Sequence, residues 1–165
     1  MGRAYLSLGS NIDAERNLRS AFAALRARFA AVVASTVYRF PAVGFDGPDF
    51  LNAAAIVDSD LDPFALNDWL HALEDAHGRD RSGPRFGDRP LDIDIVFYDD
   101  LVLEGPGHLQ LPRDELRHAF VLMPLAEIAP DFVDPRSGRS LGALWAESSE
   151  RDVACAPAFA PDDAI

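Results

Sequence analysis

The order of apolar runs and turns along this chain predicts an α+β fold of the ferredoxin-like, split β-α-β kind, with an extra C-terminal hairpin and helices. Three observations carry that reading. Runs of strand length alternate with stretches of helical period in the order β-α-β-β-α-β. Clusters of Gly, Pro and Asn punctuate them. No repeat or linker divides the 165 residues, and their 48% hydrophobic content suits one core.

Ala4 to Leu8 is a short apolar run that stops at Gly9-Ser10-Asn11, a strand followed by a turn. A helix is expected from about Asp13, because Leu18, Phe22, Leu25 and Phe29 fall on one helical stripe. Val32 to Phe40 is β-rich and ends at Pro41. Two prolines and two glycines make residues 41–49 a loop, after which Phe50 to Val57 resumes as a strand. Asp62-Pro63 supplies a capping residue with proline at the first helical position. Leu66, Leu70 and Leu73 mark the helix that follows, which ends near Gly78. A second loop covers residues 78–90, and Leu91 to Tyr98 is a strand with strict alternation. A hairpin through 101–111, a short helix around Phe120–Glu127 and a last helix near Leu141–Glu147 complete the chain. One domain is expected over residues 1–155, with a loose tail at 156–165.

Composition narrows the function. A formal net charge of -12 and a pI near 4.5 argue against a general nucleic-acid or membrane-surface binder. Cys155 is the one cysteine, which excludes an internal disulfide and a cysteine-rich zinc site. With no long apolar stretch, a cytoplasmic protein is expected. All 15 basic residues are arginines. A Walker-A loop, the usual protein-kinase site and Schiff-base chemistry all need a lysine, so they are excluded. If phosphates are handled, arginines and metal must hold them.

In Leu91-Asp92-Ile93-Asp94-Ile95-Val96-Phe97, the alternation puts Leu91, Ile93, Ile95 and Phe97 on one face and both aspartates on the other. Their α-carbons are then about 6.6 Å apart, from about 3.3 Å per residue. At an effective dielectric near 20 such charges repel by about 2.5 kcal/mol, so a half-buried pair calls for cations. Hard oxygen ligands suit Mg²⁺, and two ions can share such carboxylates. A solvated strand face would show the same alternation. The preceding segment shifts the balance. Gly78 to Pro90 carries Arg79, Arg81, Arg85 and Arg89 on an acidic protein, and guanidinium forks bind phosphate oxygens.

Six motifs occur in order: Ala4-Tyr5-Leu6-Ser7-Leu8-Gly9-Ser10-Asn11; Tyr38-Arg39-x-Pro41; Asp49-Phe50-Leu51-Asn52-Ala53-Ala54; Gly78-Arg79-x-Arg81; Arg85-Phe86-Gly87-x-Arg89-x-Leu91-Asp92-Ile93-Asp94; and Phe120-Val121-Leu122-x-Pro124-Leu125-x-Glu127-Ile128-Ala129-Pro130. Together they resemble the 6-hydroxymethyl-7,8-dihydropterin pyrophosphokinases of folate biosynthesis, from about residue 4 to about residue 135. The resemblance implies diphosphate transfer from ATP, the co-substrate, to the pterin hydroxymethyl group. It assigns two Mg²⁺ ions to Asp92 and Asp94, and makes Asp94 a candidate to assist deprotonation of the hydroxyl. Arg81 and Arg89 would clamp the triphosphate, with Arg85 beside them. His71, Glu74 and Ile95 match nucleotide-side positions. Gly9, Pro41, Val43, Phe50, Asn52 and Phe120 match the pterin pocket.

This chain also departs from the family pattern. Phe40 stands where a small polar residue is common, and Phe86 where tryptophan is common. Arg113 takes the place of a nucleotide-side histidine, while His118 and His108 align with nucleotide-side arginines and Arg117 lies next to His118. The expected partners are ATP and the pterin, with no nucleic acid or membrane, for a monomer. The alternatives are a non-catalytic pterin- or nucleotide-binding paralogue and the same chemistry on another small alcohol.

Overall fold

The structure is a computed structural model and describes residues 1–41, 47–78, 89–105 and 109–161. It begins with strand β1 (Gly2–Ser10) and helix α1 (Ala14–Arg28). Strands β2 (Val32–Ala34), β3 (Val37–Phe40) and β4 (Phe50–Ser59) follow. Helix α2 (Pro63–Ala76) then leads to β5 (Asp92–Tyr98). The C-terminal part contains the short pair β6 (Leu103–Glu104) and β7 (Gln110–Leu111), and a 3₁₀ turn at Asp114–Arg117. It closes with α3 (Ala119–Ile128), α4 (Leu141–Ala146) and β8 (Ala156–Phe159).

The main sheet runs β5-β1-β4-β3-β8, with β2 also pairing β4, and each pair is antiparallel. This α+β arrangement is compatible with the ferredoxin-like reading. Helices pack on both faces. On one, Leu18, Phe22 and Leu25 of α1 and Leu66 and Leu70 of α2 join Leu6, Leu8, Ile93 and Ile95. The stripe predicted for α1 is the stripe it buries, and each such side chain is worth roughly 1.5–3 kcal/mol of apolar burial. On the other face, Val121, Leu122 and Leu125 of α3 and Leu141 of α4 pack on Tyr5, Ala54, Val96 and Phe97. Helix α2 starts as its sequence indicates: the Asp62 side chain accepts from the Ala65 N–H at 2.8 Å, and Pro63 opens the helix.

Three expectations need correction. Phe97 does not share a face with Ile93 and Ile95. The β1–β5 register runs Leu6↔Ile95 and then Tyr5↔Phe97, so Val96 is an extra residue in β5. This bulge turns Phe97 onto the α3 face. The single strand expected over Val32–Phe40 is two. Ser35 interrupts it because its hydroxyl accepts the Ala54 N–H at 2.8 Å in place of a backbone carbonyl. Residues 156–159 are also not part of a loose tail. Strand β8 pairs with the edge of β3, Phe159 packs on the first core, and the Arg19 guanidinium lies 4.2 Å from the Phe159 ring centre. The open hydrogen-bonding groups of β3 explain the addition.

Candidate functional site

The site grows from a cross-strand row. Asp92 of β5 pairs with Gly9 of β1, Gly9 with Asn52 of β4, and Asn52 with Tyr38 of β3. One step along, Asp94 pairs with Ser7, and Ser7 with Ala54. With strands about 4.8 Å apart, Asp92 and Asn52 are separated by roughly 9.6 Å, with only glycine between them. That glycine is required. A Cβ at residue 9 would lie 2.7 Å from the Asn52 amide nitrogen and 3.7 Å from the Phe50 ring. The row therefore has an acidic end, a bare floor and an amide end.

At the acidic end each carboxylate has its own arginine. Arg89 Nε lies 4.0 Å from Asp92 Oδ2, and Arg113 Nη1 lies 3.8 Å from Asp94 Oδ1. Desolvation in this crowded site pushes the Asp94 carboxyl above the ordinary aspartate range. Arg113 opposes that, Asp92 and Glu115 add to it, and His71 opposes it. The Asp94 side chain still keeps 37% of its surface open, so the group is crowded rather than sealed. Among the described residues no group of three or more His, Cys, Asp or Glu forms a ready-made metal cage. Mg²⁺ does not require one, since it is commonly held by one or two carboxylates with waters and substrate phosphates. Two half-exposed carboxylates on one strand face fit that mode.

At the amide end, Asn52 is 6% exposed, and its Oδ1 is buried without a hydrogen-bond partner among the described residues. Such an orphan acceptor is costly and marks a place where a ligand donor would bind. Phe50 and Phe120 are both partly exposed. Phe120 stacks on His118 with ring centres 5.1 Å apart and planes 11° apart.

The remaining expected residues fall into distinct settings. Glu74 is 3% exposed and accepts the Ile93 N–H at 2.9 Å, so it anchors β5 between the two aspartates. Ile95 is fully buried in the first core, which leaves only its backbone to face a ligand. His71 is close enough to Asp94 to act on its charge. His118 Nδ1 lies 3.0 Å from Glu150, whose other oxygen accepts the Ala119 N–H that opens α3. Arg117 is exposed and donates to the Asp114 carbonyl at 3.2 Å. Pro41 is exposed at the end of β3. Val43, Arg81, Arg85, Phe86 and His108 lie outside the described residues.

Sequence reasoning missed Asn11. Its side-chain oxygen accepts the Arg89 N–H at 2.6 Å, its backbone N–H donates to the Arg89 carbonyl at 3.0 Å, and its amide donates to the Pro48 carbonyl at 3.3 Å. It thus staples the ends of both loop segments to β1. The sequence signal was Gly9-Ser10-Asn11 itself, which reads as a turn until the fold supplies its partners. Glu115, 3.4 Å from Arg113 Nε, was missed as well.

Fold and site together define an α+β domain whose sheet carries a row of acidic, glycine and amide positions at one end. The family model described as "7,8-dihydro-6-hydroxymethylpterin-pyrophosphokinase (HPPK)" matches residues 5–130, and the chain belongs to that family. It is 41% identical over 142 residues to a 2-amino-4-hydroxy-6-hydroxymethyldihydropteridine pyrophosphokinase of Synechocystis, covering 84% of this chain and 72% of that one. It is 44% identical over 138 residues to the Methylorubrum extorquens protein of that name, covering 81% and 86%. Among solved structures, Plasmodium falciparum HPPK-DHPS A437G superposes with a TM-score of 0.73 at 12% identity. That match covers 91% of this chain and 46% of the other, and it speaks to the fold alone.

Proposed function

We propose that this chain transfers diphosphate from ATP to the hydroxymethyl group of 6-hydroxymethyl-7,8-dihydropterin, releasing AMP. The observation that carries the reading is the row itself. A buried amide with an orphan acceptor faces a carboxylate pair across a glycine floor about two strand spacings wide. A pterin seated on Gly9 would present its donor edge to Asn52 and its hydroxymethyl arm toward Asp92 and Asp94. Phe50 and Phe120 are the aromatic candidates for its two faces.

In the transfer, the hydroxymethyl oxygen forms a bond to the β-phosphorus. The bond from that phosphorus to the oxygen bridging the α-phosphorus breaks, and AMP leaves with its electron pair. The hydroxyl proton departs from the attacking oxygen, with Asp94 the candidate to accept it. Two Mg²⁺ ions at Asp92 and Asp94 would neutralise charge on the phosphate chain when bound. Arg89, held by Asn11 on its backbone, aims a fixed guanidinium at the same region. Catalysis here is positioning and electrostatics more than covalent chemistry.

We place this activity in the cytosol, in a monomer acting on two small molecules. No helix among the described residues is long and apolar enough to cross a membrane, and a net charge of -12 disfavours nucleic acid. The test is an assay for AMP from ATP, Mg²⁺ and the dihydropterin. Stoichiometric AMP and pterin diphosphate are expected. Pterin binding without AMP would point to a non-catalytic paralogue, and AMP formed only with other alcohols would reassign the acceptor.

A further inference from the structure

We propose that Arg113 is the resident counter-cation of Asp94 in the metal-free protein. Divalent metal displaces it from that carboxylate, and nucleotide phosphate receives it. The proposal rests on reading Asp94 as a metal ligand.

The backbone of Arg113 is pinned to the metal strand, because its N–H donates to the Val96 carbonyl at 3.2 Å. From there its guanidinium reaches back along β5 to within 3.8 Å of Asp94 Oδ1, while Nε lies 3.4 Å from Glu115 Oε2. Both separations exceed the 2.7–2.9 Å or so of a good charge-assisted hydrogen bond. Arg113 Nε is moreover buried with no hydrogen-bond partner among the described residues. The guanidinium is therefore held by charge between two carboxylates, without the hydrogen bonds that would lock it. Its side chain is 25% exposed, which leaves room to swing.

Arg89 differs. Its backbone N–H and carbonyl are both taken by Asn11, and its side chain is only 10% exposed beside Asp92. One arginine is built in and the other is poised to leave.

A dication on Asp94 repels a guanidinium held only 3.8 Å from the same carboxylate and bound to it by no hydrogen bond. Metal binding alone therefore weakens the Arg113 contact and leaves its charge less well compensated. Phosphate oxygens would give its orphan Nε an acceptor and its charge a partner. Metal and nucleotide therefore bind with positive coupling, and the coupling is reciprocal.

The test measures Mg²⁺ binding by calorimetry without nucleotide, then binding of Mg²⁺ with a non-hydrolysable ATP analogue. Arg113→Gln is expected to tighten Mg²⁺ alone on the order of tenfold, an ordinary coupling size, and to weaken the Mg²⁺–nucleotide complex. Glu115→Gln removes the competing partner and is expected to weaken Mg²⁺ alone. Arg136→Gln removes the same charge from an exposed pair with Asp114 and is expected to change Mg²⁺ binding little. Equal effects of Arg113→Gln and Arg136→Gln, or no tightening in Arg113→Gln, would overturn the proposal. Asp94→Asn separates the premises. If it abolishes Mg²⁺ binding while Arg113→Gln changes nothing, the counter-cation role alone fails. If it leaves Mg²⁺ binding intact, the metal reading and the proposal fail together.

Discussion

At the scale of single residues, Asp94 is a group whose usefulness and whose stability cost have one origin. Desolvation raises its pKa, with Asp92 and Glu115 adding to the effect. A carboxyl whose folded pKa is raised favours the native state below its unfolded pKa. That contribution is lost as pH rises through the folded value. The neutral isostere Asp94→Asn should therefore lose turnover yet match or exceed the thermal midpoint of the native protein at neutral pH. The gap should close on acidification below the ordinary aspartate range. A marked drop in midpoint at neutral pH would show that the carboxylate is structural. For Arg89 the expected split is kinetic. Arg89→Ala should lower the rate on the order of 10²–10³-fold, as for loss of a transition-state electrostatic donor, while pterin affinity measured by titration changes far less. Equal losses in both would contradict a phosphate role. The aspartate pair was legible because period-two alternation is a backbone property. Asn11 was not, because Arg89 and Pro48, which it bonds among the described residues, are distant in sequence.

At the scale of elements, β5 shows where pattern reading stops. From Leu91 to Ile95 the alternation is real, and it sets both aspartates opposite the core. At Val96 the bulge ends it, and no residue type announces the extra position. The bulge has a use: it sends Phe97 to the α3 side and leaves the Val96 carbonyl to the Arg113 N–H. Helix α2 was legible from its cap and its leucines, whereas the bond by which Glu74 ties down the Ile93 amide beneath β5 was not, because its partner lies 19 residues away. Between the strands, Gly9 carries the sharpest prediction for the pterin floor. Gly9→Ala forces the Asn52 amide aside from a 2.7 Å approach, an overpacking of about 1–3 kcal/mol. Calorimetry should then show pterin binding weakened about tenfold or more, and unchanged affinity would remove Gly9 and Asn52 from the pocket.

At the scale of the whole molecule, helix layers on both faces leave one end of the sheet free to gather loops and charge. The fold class was readable because each local preference agrees with the global arrangement. Strand β8 was not. Ala156-Pro157-Ala158-Phe159 is short, has one large apolar side chain and includes a proline, so it forms only because β3 offers an unpaired edge. Deleting residues 156–165 should expose that edge and increase aggregation, measured by light scattering during storage. A truncated protein as dispersed as the full chain would mean that β8 protects nothing.

The most direct measurement is a crystal structure of the protein with magnesium, a non-hydrolysable ATP analogue and the dihydropterin. The account predicts metal density against the carboxylates of residues 92 and 94, with the heterocycle lying over Gly9 and bonded to Asn52. Nucleotide phosphates with no cation at either carboxylate, or a pterin bound away from that row, would contradict it.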